Sequence, residues 1–122
     1  MSYIIKINPK CLPVFSECPA DMSIEQIQDI IGGSVKQRAP HAMLAAKHPD
    51  LQIVCDMDAE RMKSPHNEFA TILGNALGGN VYGTAIIMST ENDLLRPLTA
   101  AELQDIRDII EELYDCSVRE AK

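Results

Sequence analysis

The chain contains no tryptophan, and aromatic residues make up only 4% of its 122 positions. Its core must therefore be filled by aliphatic side chains, and a hydrophobic content of 46% suffices for that. Basic residues are scarce: eleven Lys and Arg face eighteen Asp and Glu, a formal net charge of -7. Phosphate backbones repel such a chain. It has no basic stripe with interleaved aromatics, so direct nucleic-acid binding is not expected. No uninterrupted apolar run approaches the ~20 residues of a membrane-spanning helix. Met1–Lys6 lacks the basic and long apolar regions of a secretion signal, so a cytoplasmic location is expected. Cys11, Cys18, Cys55 and Cys116 form no CxxC pair; this excludes a zinc knuckle and a thioredoxin motif and suits reduced thiols. No Gly-x-Ser-x-Gly elbow and no His-Glu-x-x-His motif occurs.

What the chain does have is one stretch apolar on both strand faces, Ala85-Ile86-Ile87-Met88, within Leu77–Ser89. Such a strand needs neighbours above and below it, which puts it at the centre of a sheet. Tyr3–Ile7 alternates as a strand, and Leu12–Cys18 reads as its hairpin partner, confined to an edge by Pro13. Met22–Gly33 reads as a helix. Ser23 and Gln26 have capping-box spacing, Ile24, Ile27, Ile30 and Ile31 share a face, and Gly32-Gly33 stops it. Ser34–Arg38 reads as an exposed strand and Leu51–Asp56 as a half-buried one. Pro40–Lys47 suits a strand or a helical turn equally.

Ser64-Pro65 has the cap-then-proline signature of a helix start, with Phe69, Ile72, Leu73, Ala76 and Leu77 as the buried stripe. Glu91–Pro97 reads as a loop. Thr99–Asp115 is the longest helix, with a second capping box at Thr99 and Glu102, and Leu103, Ile106, Ile110, Leu113 and Tyr114 facing inward. Residues 1–116 are thus expected to form a single α+β domain: a mixed, mostly antiparallel sheet with about three helices packed on it, followed by a flexible tail over 117–122.

Three segments, in order, resemble the family of small bacterial, plasmid and phage proteins catalogued as domain of unknown function 3846. They are Ile24–Gly33, a helix ending in a double glycine; Pro65-His66-Asn67-Glu68-Phe69-Ala70-Thr71; and Tyr82-Gly83-Thr84-Ala85-Ile86-Ile87, a glycine-led strand. A closing acidic helix from Leu98-Thr99 fits as well, and the resemblance spans residues 3–115. Ahead of the asparagine the family usually carries glycine, with leucine before the proline, where this chain has Ala59, Lys63 and Ser64. The resemblance implies an α+β domain and no established activity.

Asn67 and Thr71 lie one helical turn apart, so an amide and a hydroxyl there could read a small polar ligand. Their ordinary alternative is to satisfy local backbone groups. Gly83 and Thr84, leading into the central strand, complete the candidate ligand set. Gly78–Thr84 is not a phosphate cradle, because its glycines leave a helix and no lysine follows. His41, His48 and His66 with the cysteines lack metal-ligand spacing, and the alternating Asp56, Asp58 and Glu60 lack a calcium loop's glycine and distal glutamate. No metal, cofactor or catalytic residue is therefore expected. Glu102, Asp105, Asp108 and Glu112 line an acidic helix face opposed only by Arg107. That face is either an ordinary solvated side or a docking surface for a basic protein.

These features point to a non-catalytic accessory binding protein of a phage or mobile element, taking a small polar ligand or a host protein. The alternative is an acidic decoy that occupies a DNA-binding host protein. A small hydrolase or transferase ranks last. The oligomeric state, a dimer included, stays open.

Overall fold

A computed structural model describes residues 2–121, apart from the side chains of residue 76 and of residues 114–121. The inward Tyr114 and the thiol of Cys116 therefore fall outside the described side chains. Among the described residues six strands and four α-helices follow one another: β1 (Ser2–Ile7), β2 (Val14–Cys18), α1 (Ile24–Ile31), β3 (Val35–Arg38), α2 (Ala42–Lys47), β4 (Leu51–Asp56), α3 (Glu68–Leu73), β5 (Ala85–Glu91), β6 (Leu94–Arg96) and α4 (Ala100–Ala121). The helical assignment of α4 runs on through 117–121, where the sequence suggests a tail. The fold is a single α+β domain.

The sheet order is β2-β1-β5-β4-β3, with β6 also paired to β5. Every pairing is antiparallel, so the expected mixed character is replaced by a uniform one. β5 is central because its side chains are apolar in both directions. Ala85 and Ile87 join one core, with Ile5, Ile53, Leu73 and Ile106. Ile86 and Met88 join the other, with Ile4, Val54, Ile27 and Ile31. Helices α2, α3 and α4 cover the first face and α1 alone packs against the second.

The capping box of α1 forms as its spacing requires: Ser23 Oγ accepts from Gln26 N, and Gln26 Oε1 accepts from Ser23 N at 2.8 Å. Gly32, at φ 81°, ends the helix in the left-handed region that favours glycine. The apolar stripe is narrower than its spacing suggests. Ile27 and Ile31 are buried, but Ile24 is 47% exposed.

Residues 91–97 are a correction: they form a hairpin, not a loop. Asn92 and Asp93 both have positive φ, 53° and 65°, and sit between the paired Glu91 and Leu94, as in a two-residue type I′ turn. Glycine suits the second turn position better than aspartate. Asp93→Gly is expected to stabilise the domain by roughly 0.5–1 kcal/mol, read as a higher midpoint in urea with unchanged m. The ambiguous Pro40–Lys47 resolves as helix α2, capped by His41, whose Nδ1 accepts from Met43 N.

Candidate functional site

The asparagine singled out in the sequence is at the N-cap of α3, three residues later than the Ser64-Pro65 signature places that helix start. Ser64–His66 instead run up to the Gly83 turn, with His66 bridged to Tyr82. The side chain of Asn67 is fully buried. Its Oδ1 accepts from Ala70 N at 3.1 Å, and its Nδ2 donates to Ile7 O at 2.9 Å and Gly83 O at 2.8 Å. Both amide hydrogens are committed, so Asn67 joins α3, β1 and the approach to β5 and has no donor left for a ligand.

Thr71 is committed in the same way. Its Oγ1 donates to Asn67 O at 2.8 Å and accepts from Val81 N at 2.8 Å. The local role weighed for this pair is the one the geometry gives them. The buried stripe of α3 also differs from the expected one. Ala70 and Leu73 are buried, whereas Leu77 lies beyond the helix in a 3₁₀ turn and is 97% exposed.

Gly83 and Thr84 have a different setting. They line an open cavity of about 360 Å³ between the C-terminal end of α1, the segment after β4 and the start of β5. Pro9, Ile31, Ala59 and Pro65 supply apolar wall; Asp56, Ser64 and Thr84 supply polar groups. All three segments noted in the sequence contribute: Ile31-Gly32 from the first, Pro65 from the second, Gly83-Thr84 from the third. Thr84 Oγ1 donates to Asn8 Oδ1 at 2.9 Å, and Asp56 Oδ1 accepts from Asp58 N at 3.0 Å. Gly83 turns at φ 72° and is held by Asn67 through its carbonyl.

Gly33 explains why α1 ends in two glycines when its cap needs one. A Cβ at Gly33 would collide with the carboxyl group of Asp56, so the second glycine makes room for that side chain. The alternation of Asp56, Asp58 and Glu60 would put them on one face only if the strand continued, and it ends at Asp56. Only Asp56 belongs to β4; Asp58 lies in the following turn and pairs with Arg61 at 3.3 Å. The redundant glycine was the available signal for Asp56, and nothing in the pattern pointed to Ser64 as wall.

The glycine-rich stretch before the cavity presents carbonyls to a cation. Arg38 donates from Nη1 to Asn80 O at 2.6 Å and from Nη2 to Gly79 O at 3.1 Å. That is the reverse of a phosphate cradle, which offers backbone N–H groups.

The acidic face of α4 is less free than its composition suggests. Glu102 forms a two-pronged pair with Arg96, at 2.8 and 3.0 Å, and completes the capping box with Thr99. The Arg96 guanidinium beside Glu102 holds its carboxyl down at about 2. Asp105 pairs with His48 at 3.1 Å. Asp108 and Glu112 remain exposed, Asp108 accepting from Gln104 at 3.1 Å. The expectation that only Arg107 opposes these carboxylates is thus corrected by Arg96 and His48. Arg107 itself stacks on the Phe15 ring at 4.3 Å.

Burial pushes the thiols of Cys55 and Cys18 up, away from the thiolate form that nucleophilic chemistry uses. No group of three or more His, Cys, Asp or Glu gathers to hold a metal ion among the described residues. No helix among them is long and apolar enough to cross a membrane. Comparison of the chain with protein-family models, with curated proteins and with solved structures finds no match.

Proposed function

We propose that this chain is a small accessory binding protein that takes a small polar ligand in the cavity bounded by α1, Ser64-Pro65 and Gly83-Thr84. The observation that carries the reading is the convergence there of apolar walls and a few fixed polar groups from three distant segments. Its volume lies within the roughly 300–1,000 Å³ typical of small-molecule sites. The same three segments carry the resemblance to domain of unknown function 3846, and a cytoplasmic protein of a phage or mobile element is the setting that resemblance suggests. Asn67 and Thr71 support the cavity from behind by holding Gly83 and Val81; they do not touch the ligand.

The acidic decoy ranks second, since two of its four carboxylates are already engaged inside the chain.

Thermal-shift screening against a panel of cationic, neutral and anionic metabolites tests the reading. A true ligand at a hundredfold excess over its Kd is expected to add about 2.7 kcal/mol. It should also move the amide resonances of Ile31, Ser64 and Thr84. Stabilisation by no compound, or binding that leaves those three resonances in place, would remove the basis for this function.

A further inference from the structure

The hydrogen-bonding inventory of the cavity narrows its ligand to one chemical class; this step rests on the cavity being the binding site. Its walls offer more acceptors than free donors: apart from the Thr84 N–H, the loop N–H groups of the wall are committed. Among the wall residues, Gly32 N donates to Gln28 O at 2.8 Å, Ala59 N to Asp56 O at 3.3 Å, Ser64 N to Ala59 O at 2.9 Å and Gly83 N to Pro65 O at 2.8 Å. Pro9 and Pro65 have no backbone N–H. The one hydroxyl hydrogen of Thr84 goes to Asn8, which leaves only lone pairs on Thr84 Oγ1. Ser64 Oγ serves in either sense.

Asp56 is the charged group of the lining, and a carboxylate only accepts. None of the three ion pairs among the described residues includes it. No Lys, Arg or His lines the cavity; Lys10 and Lys63, next in sequence to Pro9 and Ser64, are exposed. An anion would find no donor array here, and a phosphate would face a carboxylate in a chain of net charge -7.

We propose that the site binds an organic cation, an ammonium or guanidinium compound whose N–H groups are received by Asp56 and Thr84. The apolar walls then cover its carbon skeleton. Gly33 is part of the design because it lets the carboxylate lie against the backbone at the α1–β3 turn.

The test is a ¹⁵N-HSQC titration of the whole chain with methylguanidinium and butylammonium, against inorganic phosphate and adenosine monophosphate. The cations are expected to shift the amides of Gly33, Asp58, Ser64 and Thr84, and the anions to leave them in place. The near-isosteric Asp56→Asn should weaken cation binding by roughly 10–100-fold, as loss of a charge-assisted hydrogen bond does. Gly33→Ala keeps the net charge but forces the carboxylate aside, and should weaken binding comparably while the rest of the spectrum stays folded. Full cation binding by Gly33→Ala would show general charge attraction and overturn the proposal. Anions shifting the same amides would overturn it too, while leaving the cavity as a binding site. If no probe of either sign shifts them, the cavity reading fails along with it.

Discussion

Replacing Asn67 with alanine is expected to lower the unfolding free energy by about 4 kcal/mol. The substitution leaves Ala70 N–H without its cap acceptor and takes from the carbonyls of Ile7 and Gly83 the donor that Asn67 supplies. Each buried group left unpaired costs roughly 1–3 kcal/mol. Against a typical stability of about 5–15 kcal/mol, that is a large share, and the melting temperature should fall by roughly 10–20 °C.

Asn67→Asp gives a sharper version. One oxygen still caps α3, but the other now faces two carbonyl oxygens, which favours the protonated form and raises that carboxyl's pKa in the folded state. A raised folded pKa means stability present at low pH and lost as pH rises. The deficit of Asn67→Asp relative to wild type should therefore shrink on acidification. Urea unfolding at pH 7 and pH 4 measures both. A loss under 1 kcal/mol for Asn67→Ala would show that the amide is not the pin described.

Glu102→Gln is expected to cost about 2 kcal/mol at pH 7, and the cost should vanish in acid. The cause is the Arg96 pair, with the Glu102 side chain 14% exposed and that of Arg96 30%. The sign follows from the depressed carboxyl. Its ordinary value is 4.5 and its folded value about 2. The stabilisation is complete above 4.5 and is lost as pH falls through about 2. Wild type should lose about 2 kcal/mol across that window that the variant does not lose. The partial exposure of Arg96 is why the expected loss is smaller than a fully buried pair would give. Parallel acid unfolding curves for the two proteins would show that the pair contributes nothing. The biological consequence concerns the acidic face: a carboxylate tied to Arg96 is a poor lure for a basic partner.

The parts of the fold legible in the sequence are those where side-chain pattern and backbone need coincide. Ala85–Met88, apolar on both faces, had to be central. The spacing of Ser23 and Gln26, and of Thr99 and Glu102, had to cap helices, and both pairs do so. What escaped was decided by contacts distant in sequence. β6 is only three residues, too short for any period, and it exists because β5 offers a free edge beyond its pairing with β1. Ser64-Pro65 looks like a helix start, but a buried amide at Asn67 outcompetes it. Leu77 falls at helical spacing after Leu73, yet Gly74 leaves the helix in an extended conformation and the stripe ends there. The candidate cavity is half legible in the sequence: Gly83 and Thr84, two of its candidate residues, line it. Ser64 is hidden because a cavity wall carries no periodicity, and Asp56 shows only through the second glycine of Gly32-Gly33.

The partnership of β1 with β5, Ile5 opposite Ile87, has a consequence for how the chain is made. β1 leaves the ribosome well before β5, the strand that completes it. Until then β1 has only β2, and a lone two-stranded ribbon is marginal in water. Ile4, Ile5 and Ile7 stay wet throughout that interval. Synthesis therefore cannot lock the structure in piece by piece, and a product stalled before residue 85 would be a target for proteases and chaperones, with none of the finished protein's resistance.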